Sequence, residues 1–242
     1  MADTAPAALL SRAALSTQSL AGFILMKTRF ISLLLSAPFI GLSLPAHSAS
    51  QDTDHTLSQL AIGGALLSWL HAYLSNDQAL RYAIDLDPHQ HRLGTSYGHF
   101  SADSHYTGLY YAKPSQQALI SQDYFDLNAH WEVDLAYWQS RLTQPKSKDG
   151  YTFSVTPVLS YRLTRVALTP YLETGIGLAY ISNSTMENID KSTNFQFTEI
   201  LGVGVQLADW RLGYRYRHIS NAGISLPNNA TDIHSVHLSY QF

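Results

Sequence analysis

The sequence predicts an all-β protein: an eight-stranded antiparallel transmembrane β-barrel with a short N-terminal lead-in. From residue 91 onward, apolar and polar residues alternate in segments of about ten residues, each bounded by turn-forming residues. The apolar faces of these segments begin or end in aromatic residues, as the interfacial girdles of membrane barrels do. The polar faces carry charges of both signs, which can pair inside a narrow lumen.

Composition limits the classes of protein that remain. The 242 residues suit one domain, and only 14% of them are charged, with a formal net charge of -3. This balance gives no electrostatic reason to expect nucleic acid as a partner. The chain has no cysteine, so neither a disulfide framework nor a thiolate metal site is available.

The N-terminal part predicts export. Residues 26–49 contain a charged start, an apolar run and a small-residue cleavage site, which together are typical of a signal peptide. Residues 1–25 do not resemble a signal, so they are expected to be a leader extension or to precede the true start at Met26; an unusually long signal is the alternative. Residues 50–90 are expected to form a periplasmic lead-in, in which residues 57–76 are either a short helix or loosely ordered. Its apolar stretch, 60–70, is too short to span a bilayer as a helix, which takes about 20 residues.

Eight segments of the remaining chain carry the alternation. We expect strands at about 91–100, 105–112, 126–138, 151–163, 168–181, 194–207, 209–220 and 232–242. An even number of strands leaves both termini of the chain on the periplasmic side, and the longer loops belong outside the cell. Eight strands leave a lumen that side chains fill, which argues against transport.

Alternation alone fits a soluble sandwich as well as a barrel. The aromatic ends and the charges decide for the barrel, and the alternate apolar residues that end the chain are similar to the closing strand of bacterial outer-membrane proteins. The expected girdle comprises Tyr137, Tyr151, Phe153, Tyr161, Tyr180, Trp210, Tyr216 and Tyr240. The expected lumen charges are Glu132, Asp134, Glu173, Arg162, Arg215 and Arg217.

Strand parity in 209–220 separates two sets of polar residues. Arg211, Arg215 and Arg217 share one face, which must be the lumen because guanidinium groups face hydrocarbon only at high cost. His218 and Ser220 therefore lie on the lipid side near the outer rim, where Asp232 begins the next strand. A base and a hydroxyl on that side suit an enzyme whose substrate is itself a lipid.

Ester hydrolysis by serine needs a base, an acid that orients the base, and donors for the oxyanion. His218 and Ser220 are two residues apart on a strand, so their Cα atoms are about 6.6 Å apart and the imidazole can lean onto the hydroxyl. Asn221 can offer an amide donor, and Gly223 a backbone N–H.

The segment 218–223, followed by Pro227-Asn228 and by a carboxylate fourteen positions after the histidine, resembles the signature of the outer-membrane lipid A 3-O-deacylases of the PagL type. Segments 171–177 and 197–204 also resemble strands of that family, and the resemblance covers about 91–242. It implies a barrel that removes the ester-linked acyl chain at position 3 of lipid A. It also implies that His218 is the base, Ser220 the nucleophile and Asp232 the acid. By the same resemblance, Asn221 and Gly223 are the oxyanion donors and Asn228 supports the loop.

Two features depart from or extend this resemblance. The family's acid is glutamate, whereas Asp232 is shorter by one methylene, roughly 1.5 Å of reach, and misplacements near 1 Å can cost about a hundredfold in rate. A two-residue turn at 208–209 would also place Glu199 directly across from His218, on the same outward face. We therefore expect Glu199 to be a second carboxylate that supports the histidine or lies near the substrate head group.

The partners and alternatives follow from this interpretation. The expected partners are lipid A or lipopolysaccharide and the lipids of the outer membrane; no metal or cofactor is expected, because the 11 histidines show no metal-ligand spacing. His234 is expected at the rim, and His130 and His237 as lumen fillers. The alternatives are a calcium-dependent outer-membrane phospholipase and a non-catalytic small envelope barrel. Whether two barrels pair as a homodimer stays open.

Overall fold

The computed structural model describes residues 49–242, with side chains from residue 55 onward. The leader and signal segments expected at 1–25 and 26–49 lie outside the described residues, except for Ala49. Within these described residues, two helices come first: α1 (Ala49–Ser75) and α2 (Ala79–Ile84). No helix of the described residues is long and apolar enough to cross a membrane.

Eleven strands follow the helices. They are β1 (Arg92–His99), β2 (Ser104–Pro114), β3 (Ile120–Ser121), β4 (Phe125–Ser140), β5 (Asp149–Leu163), β6 (Leu168–Ile181), β7 (Thr185–Met186), β8 (Ile189–Asp190), β9 (Phe195–Leu207), β10 (Trp210–Ser220) and β11 (Thr231–Gln241). The longer eight coincide with the eight predicted strands, and each predicted bound lies within two residues of the observed one. The additional short strands occupy connections.

The eight long strands close into an antiparallel barrel. Their order is β2-β1-β11-β10-β9-β6-β5-β4, and pairing of β2 with β4 joins the two ends. At one end the connections β5–β6 and β9–β10 are short turns. At the other, the long-loop end, residues 141–148, 182–194 and 221–230 connect the strands.

The wall has an apolar outer face and a polar inner face. Outward side chains such as Leu135, Leu178 and Val203 remain about half exposed, which is how the lipid-facing belt of a transmembrane barrel presents itself. Inward side chains are buried and polar, including Glu132, Glu173, Arg215 and Arg217. The predicted transmembrane barrel is therefore confirmed.

The lumen is filled rather than open. In its middle, Arg215 pairs with Glu132 at 2.7 Å and with Glu173 at 2.6 Å, and Arg217 lies 3.5 Å from Asp134. Arg162 pairs instead with Asp126 near the short-turn end. An apolar cluster closes the lumen at the long-loop end; it comprises Tyr106, Ala136, Trp138, Ile181, Met186, Ile219 and Ile233.

Helix α1 lies against the outer face of the wall, over β6 and β9, and it also contacts β10. The Thr174 hydroxyl on β6 donates a 2.9 Å hydrogen bond to the carbonyl of Ala61. The helix side that meets the wall consists of small buried residues, which allow close approach; they are Ser58, Ala61, Ala65, Ser68 and Ala72. Of the two alternatives for residues 57–76, a short helix or a loosely ordered segment, the structure has a helix, and it is 27 residues long.

Candidate functional site

The candidate site lies on the outer face of β10, near the long-loop end. His218 pairs across strands with Asp232 on β11 and with Glu199 on β9. The second pairing is the one that a two-residue turn at 208–209 predicts, because Trp210 pairs with Leu207. All three side chains share one rung of the outer face, so His218 has a carboxylate on each side.

A short chain of hydrogen bonds runs along this rung. His218 Nδ1 lies 2.6 Å from Asp232 Oδ1. The shorter carboxylate reaches the ring because directly opposite residues on antiparallel strands have Cβ atoms only about 5 Å apart. With Nδ1 engaged by Asp232, Nε2 is the ring nitrogen available to a hydroxyl.

Tyr216 corrects one sequence prediction. It was expected in the exposed aromatic girdle, but its side chain is 1% exposed, and its hydroxyl donates to the same Asp232 oxygen at 2.5 Å. The Tyr216 ring also packs 5.5 Å from the ring of His234. Because its hydroxyl is hydrogen-bonded to a carboxylate, the Tyr216 ring can be buried without leaving a polar group unpaired. Tyr161, also expected in the girdle, packs under α1, where its hydroxyl meets His71 Nδ1 at 2.9 Å.

Ser220 is the last residue of β10 and is 8% exposed. It stands two residues beyond His218 on the same face. Among the described residues no hydrogen bond joins its hydroxyl to His218. Proton transfer would therefore need a side-chain rotation that brings Oγ onto Nε2, and apo sites commonly tighten only when substrate binds.

The turn after Ser220 is held by Asn221, which is fully buried. Its Nδ2 donates to the carbonyls of Lys191 and Ser225, and its Oδ1 accepts the Gly223 N–H at 2.8 Å. Asn228 Oδ1 accepts the Asn221 backbone N–H at 2.9 Å. The two donors expected for an oxyanion are thus occupied inside the turn.

The backbone N–H of Ala222 differs from these two donors. Ala222 lies between these residues in the left-handed region, with φ of 53°. Within the described part of the chain its N–H has no hydrogen-bond partner. The turn that Asn221 and Gly223 build therefore presents one free backbone donor two residues after the serine.

Lys191 approaches the site from the 182–194 loop and is fully buried. Its Nζ donates to the carbonyls of Ile219 at 2.8 Å and Asn229 at 3.1 Å. Burial lowers the pKa of Lys191 to about 7, against the opposing effect of the Asp232 and Glu199 carboxylates. Lys191 therefore lies within electrostatic reach of both carboxylates of the site, Asp232 and Glu199.

Glu199 is 6% exposed, and its Oε2 has no hydrogen-bond partner among the described residues. A buried carboxylate oxygen without a donor is costly, so a ligand or protonated group that can reach it would be favoured. His130 and His237 face the lumen and are buried, as predicted. No group of three metal-ligating side chains occurs in the part of the chain that the structure describes.

Sequence analysis missed Tyr216 and Lys191. Parity does place Tyr216 on the outer face beside His218, but the same parity also suits a girdle tyrosine. Lys191 lies in a loop with no periodicity, 29 positions before Ser220 in the sequence, so only the folded chain brings it to the site.

Comparison with known proteins identifies the family. The family described as "Lipid A 3-O-deacylase (PagL)" matches residues 105–241, more than half of the chain. The chain belongs to this family. The matched segment contains His218, Ser220, Asp232 and Glu199, and it begins beyond both helices.

Two curated relatives and one solved structure are similar to the chain. "Lipid A deacylase PagL" of Pseudomonas aeruginosa is 26% identical over 111 residues, which is 46% of this chain and 62% of that protein. "Lipid A deacylase PagL" of Bordetella bronchiseptica is 40% identical over 73 residues, 30% of this chain and 41% of that protein. The chain thus spans less than two thirds of either relative. The crystal structure of the outer membrane enzyme PagL superposes with a TM-score of 0.56 at 21% identity, covering 62% of this chain and 98% of that one; this likeness concerns the fold.

Proposed function

We propose that the protein is an outer-membrane esterase that removes the ester-linked 3-hydroxyacyl chain at position 3 of lipid A. Ser220 is the nucleophile, His218 the base and Asp232 the acid that orients it. The observation that carries this proposal is the 2.6 Å contact between His218 Nδ1 and Asp232 Oδ1 on the outer face, where Ser220 follows His218 by two residues on the same strand. The family relationship supplies the class of substrate.

The outer face is where the substrate is. Lipid A places its sugars at the rim of the membrane and its acyl chains in the apolar belt. Ser220 ends its strand at the long-loop end, with the exposed apolar belt below it. An ester between sugar and acyl chain would meet Ser220 without leaving the membrane, so no passage through the filled lumen is needed.

The reaction proceeds in two halves. His218 Nε2 takes the Ser220 proton while Oγ attacks the ester carbonyl, and the tetrahedral intermediate then expels the sugar 3-oxygen, which takes that proton from Nε2. Water next attacks the acyl-enzyme, giving its proton to His218, and the 3-hydroxy fatty acid leaves with Ser220 restored. Asp232 holds Nδ1 and stabilises the imidazolium in both halves.

The 221–223 turn supplies the oxyanion donor in this proposal. The Ala222 N–H, free in the turn that Asn221, Gly223 and Asn228 hold, is the donor available without rearrangement. Preorganised donors of this kind contribute because they are fixed before charge develops. Asn221 and Gly223 therefore act through the shape of the turn, and either can donate directly if substrate opens it.

Glu199 completes the proposal as a second carboxylate beside the base. It stands opposite Asp232 across His218, and its Oε2 lacks a donor within the described residues. When His218 becomes an imidazolium, Glu199 adds a second negative charge on the same rung. This placement stabilises the charged histidine rather than the resting one.

Mass spectrometry of lipid A tests the proposal. Cells that express the protein should yield lipid A lacking one 3-hydroxyacyl group, and cells that express Ser220→Ala should yield the intact form. The two proteins must be present in the outer membrane at equal amounts. Intact lipid A in both, or loss of the acyl group with Ser220→Ala, would reject the assignment.

A further inference from the structure

Lys191 stands out among the groups that the proposed reaction does not use. It is the one buried lysine in the described part of the chain. Burying an ammonium is costly unless it is paired and hydrogen-bonded. The two backbone carbonyls that accept from its ammonium offset this cost and tie the side chain to fixed points of the loops.

The contacts of Lys191 converge on the two residues that flank Ser220. Its ammonium donates to the carbonyl of Ile219, which belongs to the peptide unit joining Ile219 to Ser220. Its own backbone carbonyl accepts the Asn221 side-chain amide at 3.0 Å. Ser220 is thus held from both sides by one residue of another loop.

The same residue also joins the loops around the site. Nζ donates to the Asn229 carbonyl in the loop between β10 and β11, and the Lys191 backbone N–H donates to Ser184 at 2.8 Å. Asn229 Nδ2 reaches back to the carbonyl of Asp190 at 2.9 Å. The 182–194 and 221–230 loops therefore meet at Lys191, which contacts both neighbours of Ser220.

We propose that Lys191 is a positioning residue that fixes the Ser220 backbone and the 221–223 turn in the geometry needed for attack on the ester. The inference rests on the proposed function of Ser220 and extends it to a residue that touches no substrate. A nucleophile held by a single strand end would otherwise move with its loop. Positional errors near 1 Å cost about a hundredfold in rate.

The test uses Lys191→Met in the full-length protein, refolded in detergent, with Lys148→Met as the matched control on an exposed loop position. Folding is read from heat-modifiable gel migration. Activity is measured on purified lipid A in mixed micelles, and Ser220 reactivity is measured separately with a fluorophosphonate. We expect kcat to fall by about 10- to 100-fold with KM within about twofold, fluorophosphonate labelling to slow in parallel, and Lys148→Met to match the wild type.

Lys191→Gln provides the second variant, because its amide can still donate to one of the two carbonyls. Intermediate kcat and labelling in this variant would support positioning. A folded Lys191→Met with kcat and labelling within twofold of the wild type would overturn the inference. If that variant does not fold, wild-type labelling in Lys191→Gln overturns it, and so does failure of both variants to fold, which would make Lys191 a folding residue.

The design separates this inference from the proposed function. A wild-type protein that leaves lipid A intact would reject lipid A as the substrate. Labelling of Ser220 that slows in Lys191→Met would still support the positioning role in that case. Conversely, active wild type together with a fully active Lys191→Met would reject the role of Lys191 alone.

Discussion

The two faces of β10 carry polar groups of different kinds. Inside, Arg211, Arg215 and Arg217 are buried among partners, and Arg215 is held by two carboxylates at 2.6 and 2.7 Å. Outside, His218 and Ser220 are equally buried, but the hydrogen-bond chain through Asp232 and His218 stops before Ser220. The inner network pairs charge with charge, whereas the outer one ends on groups that a substrate can engage.

The outer face itself is divided along its length. Leu212 and Tyr214 are 51% and 42% exposed, whereas Tyr216 two residues further is 1% exposed. This change coincides with the approach to the long-loop end, where Tyr216 donates to Asp232 and packs against His234. A barrel wall that is generally open to lipid thus becomes a sheltered polar site over three outward positions.

The largest effect is expected from the inner face. Arg215→Met would leave Glu132 and Glu173 buried without their shared partner, and breaking such a pair costs about 3–5 kcal/mol. The variant should refold poorly and lose activity only as a result, which urea titration of the heat-modifiable form would measure. Arg141→Met, at an exposed loop position, is the control. Full stability in Arg215→Met would show that the lumen network is not structural.

Asp232→Asn is expected to lower the rate of deacylation without lowering the stability of the barrel. The amide cannot hold the Nδ1–H tautomer of His218, so the rate should fall by about 10³- to 10⁴-fold while the barrel keeps its stability. Deacylation of lipid A in micelles, alongside the refolding assay, measures both. Asp103→Asn, an exposed loop carboxylate, should match the wild type. Loss of folding instead of rate would place Asp232 with the structural charges.

Glu199→Gln tests the second carboxylate of the rung. Removing its charge should lower kcat by about tenfold, because one of two charges that stabilise the imidazolium is lost, and KM should change little. Unchanged activity in Glu199→Gln, set beside an inactive Asp232→Asn, would show that the histidine uses Asp232 alone.

Tyr216→Phe should produce the smallest change. It removes the hydroxyl that donates to Asp232 but keeps the ring, so we expect kcat to fall by about three- to tenfold, which corresponds to the net value of one typical hydrogen bond. Tyr214→Phe is the control two residues away, where the hydroxyl meets His234 instead of Asp232. Equal losses in both variants would contradict a specific role for Tyr216.

The barrel was predictable because its signal is local. Period-two alternation marks each strand wherever one face meets lipid and the other the lumen, and the eight predicted strands and the closed antiparallel barrel are found. The opposition of Glu199 and His218 was predictable for the same reason, since a two-residue turn fixes the register. The site residues that the resemblance implies also lie in one short segment, 218–232.

What the sequence could not show depends on contacts between distant segments. The 27-residue α1 has no strong amphipathic pattern, because small residues face the wall and leucines face outward. Nothing local in the sequence distinguishes Lys191 from other loop lysines, because its burial depends on two loops that meet only in the folded chain. The Asn221 amide and the Gly223 N–H are already engaged in hydrogen bonds within the turn. The spacing of residues in the sequence does not predict those bonds.

The most direct test of the outer-face site is to locate the nucleophile. The folded protein is treated with a fluorophosphonate in detergent, digested, and its peptides are sequenced by mass spectrometry while lipid A deacylation is followed in the same sample. We expect a single phosphonyl adduct on Ser220, forming at the rate at which deacylation is lost. Complete inhibition with the adduct on another residue, or full labelling of Ser220 with deacylation intact, would contradict the account.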